Sequence, residues 1–171
     1  MLEQPLSSVR ILLLIVAVAL LPPPMTARAQ EPSRPLDLAT YPRTSLEVTH
    51  RGSDHATHKY PFTVWIADTD ARAEQGLMFV SDLPEAMGMV FPMEPPRIAD
   101  FWMKNTYIEL DLLFIGTDGR VTKIIQRAVP MSLQRLSSDT PVGAVLELKG
   151  GVAAKLGLRR GDTVAWKKPA A

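Results

Sequence analysis

The chain has 171 residues, 46% of them hydrophobic and none cysteine, so a domain of this size must be held by its apolar core, without disulfide staples, thiolate metal ligands or a cysteine nucleophile. The formal charge is +1 at neutral pH, and removal of the first 29 residues takes away Arg10, Arg28 and Glu3 to leave 17 basic and 17 acidic side chains. That balance argues against a nucleic-acid binder, which needs a net basic face, and no polybasic run is present to hold an anionic membrane surface.

In chain order, the first feature is ILLLIVAVALL at 11–21, an apolar run that follows Arg10 and ends at the breaker PPP (22–24) and Ala27-Arg28-Ala29. The run is shorter than the ~20 residues of a spanning helix. A charged start, a short apolar core and a small-residue site describe a cleavable secretory signal over 1–29, cut after Ala29, with an uncleaved N-terminal anchor as the alternative. Residues 30–43 carry three prolines among polar residues and no hydrophobic period, and read as a flexible tether. A single domain is expected over 44–168.

Two strands are predicted near SLEV (45–48) and YPFTVWIA (60–67), the second with Val64 and Ile66 on one face and Thr63 and Trp65 on the other. The polar stretch between them, 50–59, holds His50, His55 and His58 and reads as a loop, with only Asp54 nearby as a supporting carboxylate for a metal. A solvated loop is the better reading, and no metal site is expected. Thr69 caps a short helix over DARAEQ that stops at Gly76. Residues 76–96, rich in Met, Gly and Pro, read as irregular connection.

The strongest local signal is YIELDLLFIGTDGRVTKIIQRAV at 107–129, where Asp118-Gly119 between two apolar runs predicts a β-hairpin. Both faces of 112–115 are apolar, as in a central strand buried on two sides. A loop (130–141), a strand (142–148), a short helix (151–158) and a closing strand (161–166) complete the domain. The fold class expected is mainly β (α+β): a small, largely antiparallel, barrel-like sheet of about seven short strands with two short helices.

No phosphate loop, H-E-x-x-H, G-x-S-x-G or dinucleotide fingerprint occurs. What remains is a set of polar residues beside apolar strands: Lys104, Asn105, Glu109, Asp111 and Glu147. In FWMKNT (101–106), extended-chain alternation puts Trp102 and Lys104 on one face and Phe101, Met103 and Asn105 on the other. Asp111 and Glu147 sit between leucines. Each either points out of an exposed face or is buried and needs a partner such as Lys104 or a cluster of backbone donors. The six methionines of the mature chain, at 78, 87, 89, 93, 103 and 131, are embedded among Leu, Phe, Val and Pro and read as core filler rather than copper ligands.

Together FWMKNT, LDLLFI (110–115), DGRV (118–121), AVPMSL (128–133), VLEL (145–148) and LGLRRGDTV (156–164), with GLM (76–78) and GMVF (88–91) upstream, resemble the DUF192 (UPF0127) family over about 60–166. The resemblance implies a compact strand-dominated domain, commonly exported, without an established biochemical function. Its recurrent polar positions fall on Lys104, Asn105, Asp111, Ser132, Glu147 and Asp162. The chain departs from the family pattern at Val80, Met131 and Glu109, where arginine, cysteine and a nearby proline are frequent.

The function expected from these readings is that of an exported envelope protein, periplasmic or extracellular, that binds a small polar ligand or an envelope partner without catalysis. Candidate ligand-binding residues are Trp102, Lys104, Asn105, Asp111, Ser132 and Glu147; no cofactor, nucleic acid or membrane span after cleavage is expected. Two alternatives stand beside it. One is a hydrolase of envelope material using a Lys104/Asp111/Glu147 cluster, which requires the three to converge. In the other, these polar residues are architectural.

Overall fold

A computed structural model describes residues 35–53 and 55–167. The expected signal segment and the start of the expected tether lie outside the described residues, as do residue 54 and residues 168–171. Nine strands and two short α-helices follow in order: β1 (Arg43–Arg51), β2 (Thr57–Ile66), α1 (Asp70–Gln75), β3 (Met87–Arg97), β4 (Asp100–Phe101), β5 (Leu110–Ile115), β6 (Val121–Ala128), β7 (Leu136–Ser137), β8 (Val142–Lys149), α2 (Val152–Lys155) and β9 (Thr163–Trp166). Seven strands form one mixed sheet in the order β6-β5-β8-β3-β2-β1-β9, and β4 and β7 form a two-stranded ladder of their own. Every pairing in the large sheet is antiparallel except β2 with β3, which are parallel and connected through α1.

The sheet is open rather than closed into a barrel. Among the described residues its two edges meet at one end, where Arg120 bridges Thr163, Val121 N–H donates to the Asp162 carbonyl (2.8 Å) and Val164 N–H donates to the Gly119 carbonyl (2.8 Å). A core lies on each face, because residues facing each other across a ladder share a face. One core gathers Trp65, Met89, Phe91, Leu112, Phe114 and Met103; the other gathers Leu46, Val64, Ile66, Leu113, Leu146 and Val164 with Val152 and Ala153 of α2. Val64 and Ile66 thus face away from Trp65, as the alternation requires. All six residues of β5 are buried.

The hairpin at Asp118-Gly119 forms as the sequence predicts: Gly119 takes φ 77° and the Asp118 carboxylate accepts the Arg120 N–H at 3.0 Å. Thr69 caps α1 through its hydroxyl, which accepts the Arg72 N–H.

Three local expectations fail for identifiable reasons. The irregular reading of 76–96 overlooks β3. Its Pro92, Pro95 and Pro96 argue against a strand, yet they fall where the register with β8 shifts, between Pro92 and Arg97, while Met87–Phe91 upstream is clamped between β2 and β8. The polar stretch 50–59 is the tip of the β1–β2 hairpin rather than a loop: His50 and His58 oppose each other with rings 6.4 Å apart, and only the turn around His55 (φ 63°) leaves the ladder. His50 is buried, and its Nδ1 lies 3.0 Å from Asp162, a carboxylate remote in sequence. The loop 130–141 contains β7.

Residues 36–42, tether-like in composition, lie against the domain. Leu38–Thr40 form a 3-10 turn, Tyr41 is buried, and the buried Gln75 side chain holds Leu36 through both its backbone N–H and its carbonyl. Among the methionines, Met89, Met93 and Met103 are buried as core filler, whereas Met131 is 54% exposed in a turn at φ 61°.

Asp111 is fully buried on the α2 side of the sheet and is an architectural strut. The ladder of β5 with β6 slips opposite it, and Arg127, at φ 47°, is left in a bulge whose N–H donates to Asp111 Oδ1 (2.8 Å). Asp111 Oδ2 accepts the Ala153 N–H in the first turn of α2 (2.7 Å). One carboxylate therefore satisfies a bulge and a helix start that would otherwise be unpaired. Asp111→Ala is expected to cost about 3 kcal/mol in urea denaturation, the scale of losing two charge-assisted bonds to buried donors; a loss below about 1 kcal/mol would contradict the strut.

Candidate functional site

A cleft of about 180 Å³ opens between the C-terminal end of α1 and the segment 97–102, and it is floored by β3, β8 and Thr106. That space is on the order of ten times what one water needs. Gly76 shapes one wall. At φ 51° it ends α1, and a Cβ there would stand 3.3 Å from the Phe91 ring. The opposite wall is held by Phe101 packed edge-on against Phe91 (centroids 5.0 Å), by the Ala99 N–H donating to Ser138 Oγ (2.9 Å), and by a two-pronged Asp100–Arg135 pair at 2.7 and 2.9 Å.

FWMKNT forms the rim. It is not a strand past Phe101: the chain turns at Lys104-Asn105, Asn105 takes φ 55°, and Thr106 N–H donates to the Met103 carbonyl at 3.1 Å. Asparagine tolerates the left-handed region better than any other side chain but glycine's absence of one, so the turn needs neither glycine nor proline. The expected alternation of burial survives in part, with Trp102 52% exposed and Met103 buried. The Lys104 ammonium sits 5.7 Å from the centre of the Trp102 ring, a cation–π contact.

Glu147 lies in the floor. It belongs to a row of facing residues across the sheet, Trp65, Met89, Glu147, Leu112 and Ile125, on the α1 side. Gly88 lets β3 run this close, since a Cβ there would meet the Glu147 carbonyl oxygen at 2.4 Å. The Glu147 side chain is buried, and its Oε2 has no hydrogen-bond partner among the described residues. Burial pushes this carboxyl up to about 8 from 4.5, because a carboxylate removed from water without a partner is costly.

The six candidate residues therefore divide. Trp102 and Glu147 line the cleft. Asn105 flanks it, its Nδ2 3.9 Å from the sulfur of the cleft residue Met78, and Lys104 reaches the rim through Trp102. Ser132 sits in a turn apart from the cleft, its carbonyl accepting the Met103 N–H and its Oγ the Gln134 N–H. Asp111 faces the other side of the sheet: it pairs with Leu148, whereas Glu147 pairs with Leu112. The convergence of Lys104, Asp111 and Glu147 that a hydrolase would need is absent. Among the described residues no group of three His, Asp or Glu side chains is arranged to hold a metal ion, and no helix is long and apolar enough to cross a membrane. Phe91, Thr106 and Gly76 also line the cleft; the sequence marks them only as parts of family motifs and, for Gly76, as a helix stop, since nothing local distinguishes a cleft wall from core.

These features define a small mixed-sheet domain with one buried, unpaired acid at the base of a cleft. The chain belongs to the DUF192 family, described as an uncharacterised conserved region, whose model matches residues 52–166. It is similar to a crystal structure from Sinorhizobium meliloti 1021 provisionally described as a transcription regulator, with 36% identity and a TM-score of 0.67 over 74% of this chain and 95% of that one. It is also similar to a protein of unknown function from Novosphingobium aromaticivorans DSM 12444, with 42% identity and a TM-score of 0.66 over 71% and 84% of the two chains. No curated protein matches the chain.

The raised acid of Glu147 makes stability depend on pH. The folded state holds this proton more tightly than the unfolded chain, so the contribution is complete below about pH 4.5 and is lost as pH rises toward 8. The expected slope is a fall of up to about 1.4 kcal/mol per pH unit across that window. Glu147→Gln should flatten the Glu147 part of the profile and exceed the wild type at pH 8, measured by urea denaturation at pH 5, 6.5 and 8; an unchanged slope would show that the carboxyl is not held neutral.

Proposed function

We propose that this chain is an exported, non-catalytic binding domain that holds a small polar ligand in the cleft between α1 and residues 97–102. The observation that carries the reading is Glu147: a buried carboxyl with an unpartnered oxygen in a cleft is a cost to folding that a ligand offsets by supplying the missing partner. Trp102 at the mouth and the Phe91–Phe101 pair in the walls supply apolar surface around that one polar anchor. Export is supported by the apolar run 11–21 and Ala27-Arg28-Ala29.

A hydrolase built on Lys104, Asp111 and Glu147 is the weaker reading, because those groups lie apart. The description of the Sinorhizobium meliloti neighbour as a regulator finds no support in a chain of balanced charge, where DNA binding would call for a basic face.

Thermal-shift screening of the full chain against small polar metabolites and glycans tests the proposal. A binder should raise the melting temperature of the wild type and of Ser132→Ala, and lose most of that shift in Glu147→Gln and Trp102→Ala. Equal shifts in all variants, or no binder of any class, would sink it.

A further inference from the structure

We infer that the ligand of this cleft is a small organic cation, an ammonium or amidinium group on an apolar body, that docks against Glu147. The inference rests on the cleft being a binding site and adds the chemical class of what it binds. Its basis is an inventory of charges around Glu147. From α1 the cleft is lined by Glu74, from β3 by Arg97 and from β4 by Asp100, and all three are exposed. Asp100 is already taken by Arg135. On β8 itself Lys149 is engaged by Asp82. From β5 only Leu110, Leu112 and Phe114 share the face, since Asp111 points to the other side. Tyr41 belongs to the same core, its phenol raised by burial.

No cation of the described residues therefore pairs with Glu147; Arg135 neutralises Asp100, Glu74 and Arg97 offset each other along the cleft, and the Lys104 ammonium stands over Trp102 at the rim. An anionic ligand has no donor to offer the unpartnered Oε2 and could be held only while Glu147 keeps its proton. A neutral amide would satisfy one or two hydrogen bonds, whereas a cation makes the stronger charge-assisted bond, and an amidinium fork can engage both carboxylate oxygens together. The apolar remainder of such a ligand would lie against Phe91, Phe101, Leu77 and Met93, which line the same cleft.

Burial pushes the Glu147 carboxyl up to about 8, so docking a cation at lower pH displaces a proton. The cleft then exchanges a proton for an organic cation, and apparent affinity rises about tenfold per pH unit up to about pH 8, where it levels off.

Isothermal titration of the full chain with benzamidinium, and in parallel with neutral benzamide, tests this. Titration at pH 6.5 in two buffers of different ionisation enthalpy reads proton release. The expected result is benzamidinium binding with release of about one proton, at least tenfold weaker binding of benzamide, and loss of proton release in Glu147→Gln. Benzamide binding as tightly as benzamidinium, with no proton release and with dependence on Glu147, would overturn the cationic class while leaving the cleft as a binding site. Binding of neither probe would overturn the cationic class; the metabolite screen then decides the cleft reading separately. Because proton release is read on the wild type, the test stands even if a variant fails to fold.

Discussion

The structure depends on the double burial of β5 and β8 at the middle of the large sheet. Each strand carries an apolar core on both faces, so every polar side chain on them must be accounted for inside the protein. Two acids occupy this interior, one per face, and they meet opposite fates. Asp111 receives donors from a bulge in β6 and from the first turn of α2, and it holds those elements to the sheet. Glu147 looks out under α1, where the neighbouring elements offer aromatic rings, methionine and a cleft but no donor to its Oε2.

In sequence the two acids are nearly indistinguishable, each a carboxylate between leucines. The difference lies wholly in what arrives from elsewhere in the chain. The donors to Asp111 come from Arg127 and Ala153, positions whose relevance only the register reveals. A similar remoteness hid the partnership of His50 with Asp162.

Elements whose signal is local were legible. The 107–129 hairpin announces itself through Asp118-Gly119 between apolar runs, α1 through its threonine cap and glycine stop, and β8 through VGAVLEL. Elements stabilised mainly by neighbours were not. The β3 strand reads as a broken, proline-rich connection until the two strands that clamp it are known. The turn in FWMKNT relies on the left-handed tolerance of Asn105 in place of the usual glycine. The motif that identifies the family most sharply proves to be the rim of the cleft, with Glu147 beneath it. Ser132, which shares the family pattern, holds a turn.

The pairing of β1 with β9 sets the order in which this protein can be completed. Leu46 meets Trp166 and Thr49 meets Thr163, and the edge carrying β9 also makes the one bridge to Arg120. A ribosome must therefore release residue 166 before the first strand finds its outer neighbour, and the loop closed by that contact spans nearly the whole domain. Such non-local closure is slow compared with the local hairpins. The nascent chain thus stays unfinished, with its first edge open, until β9 has emerged.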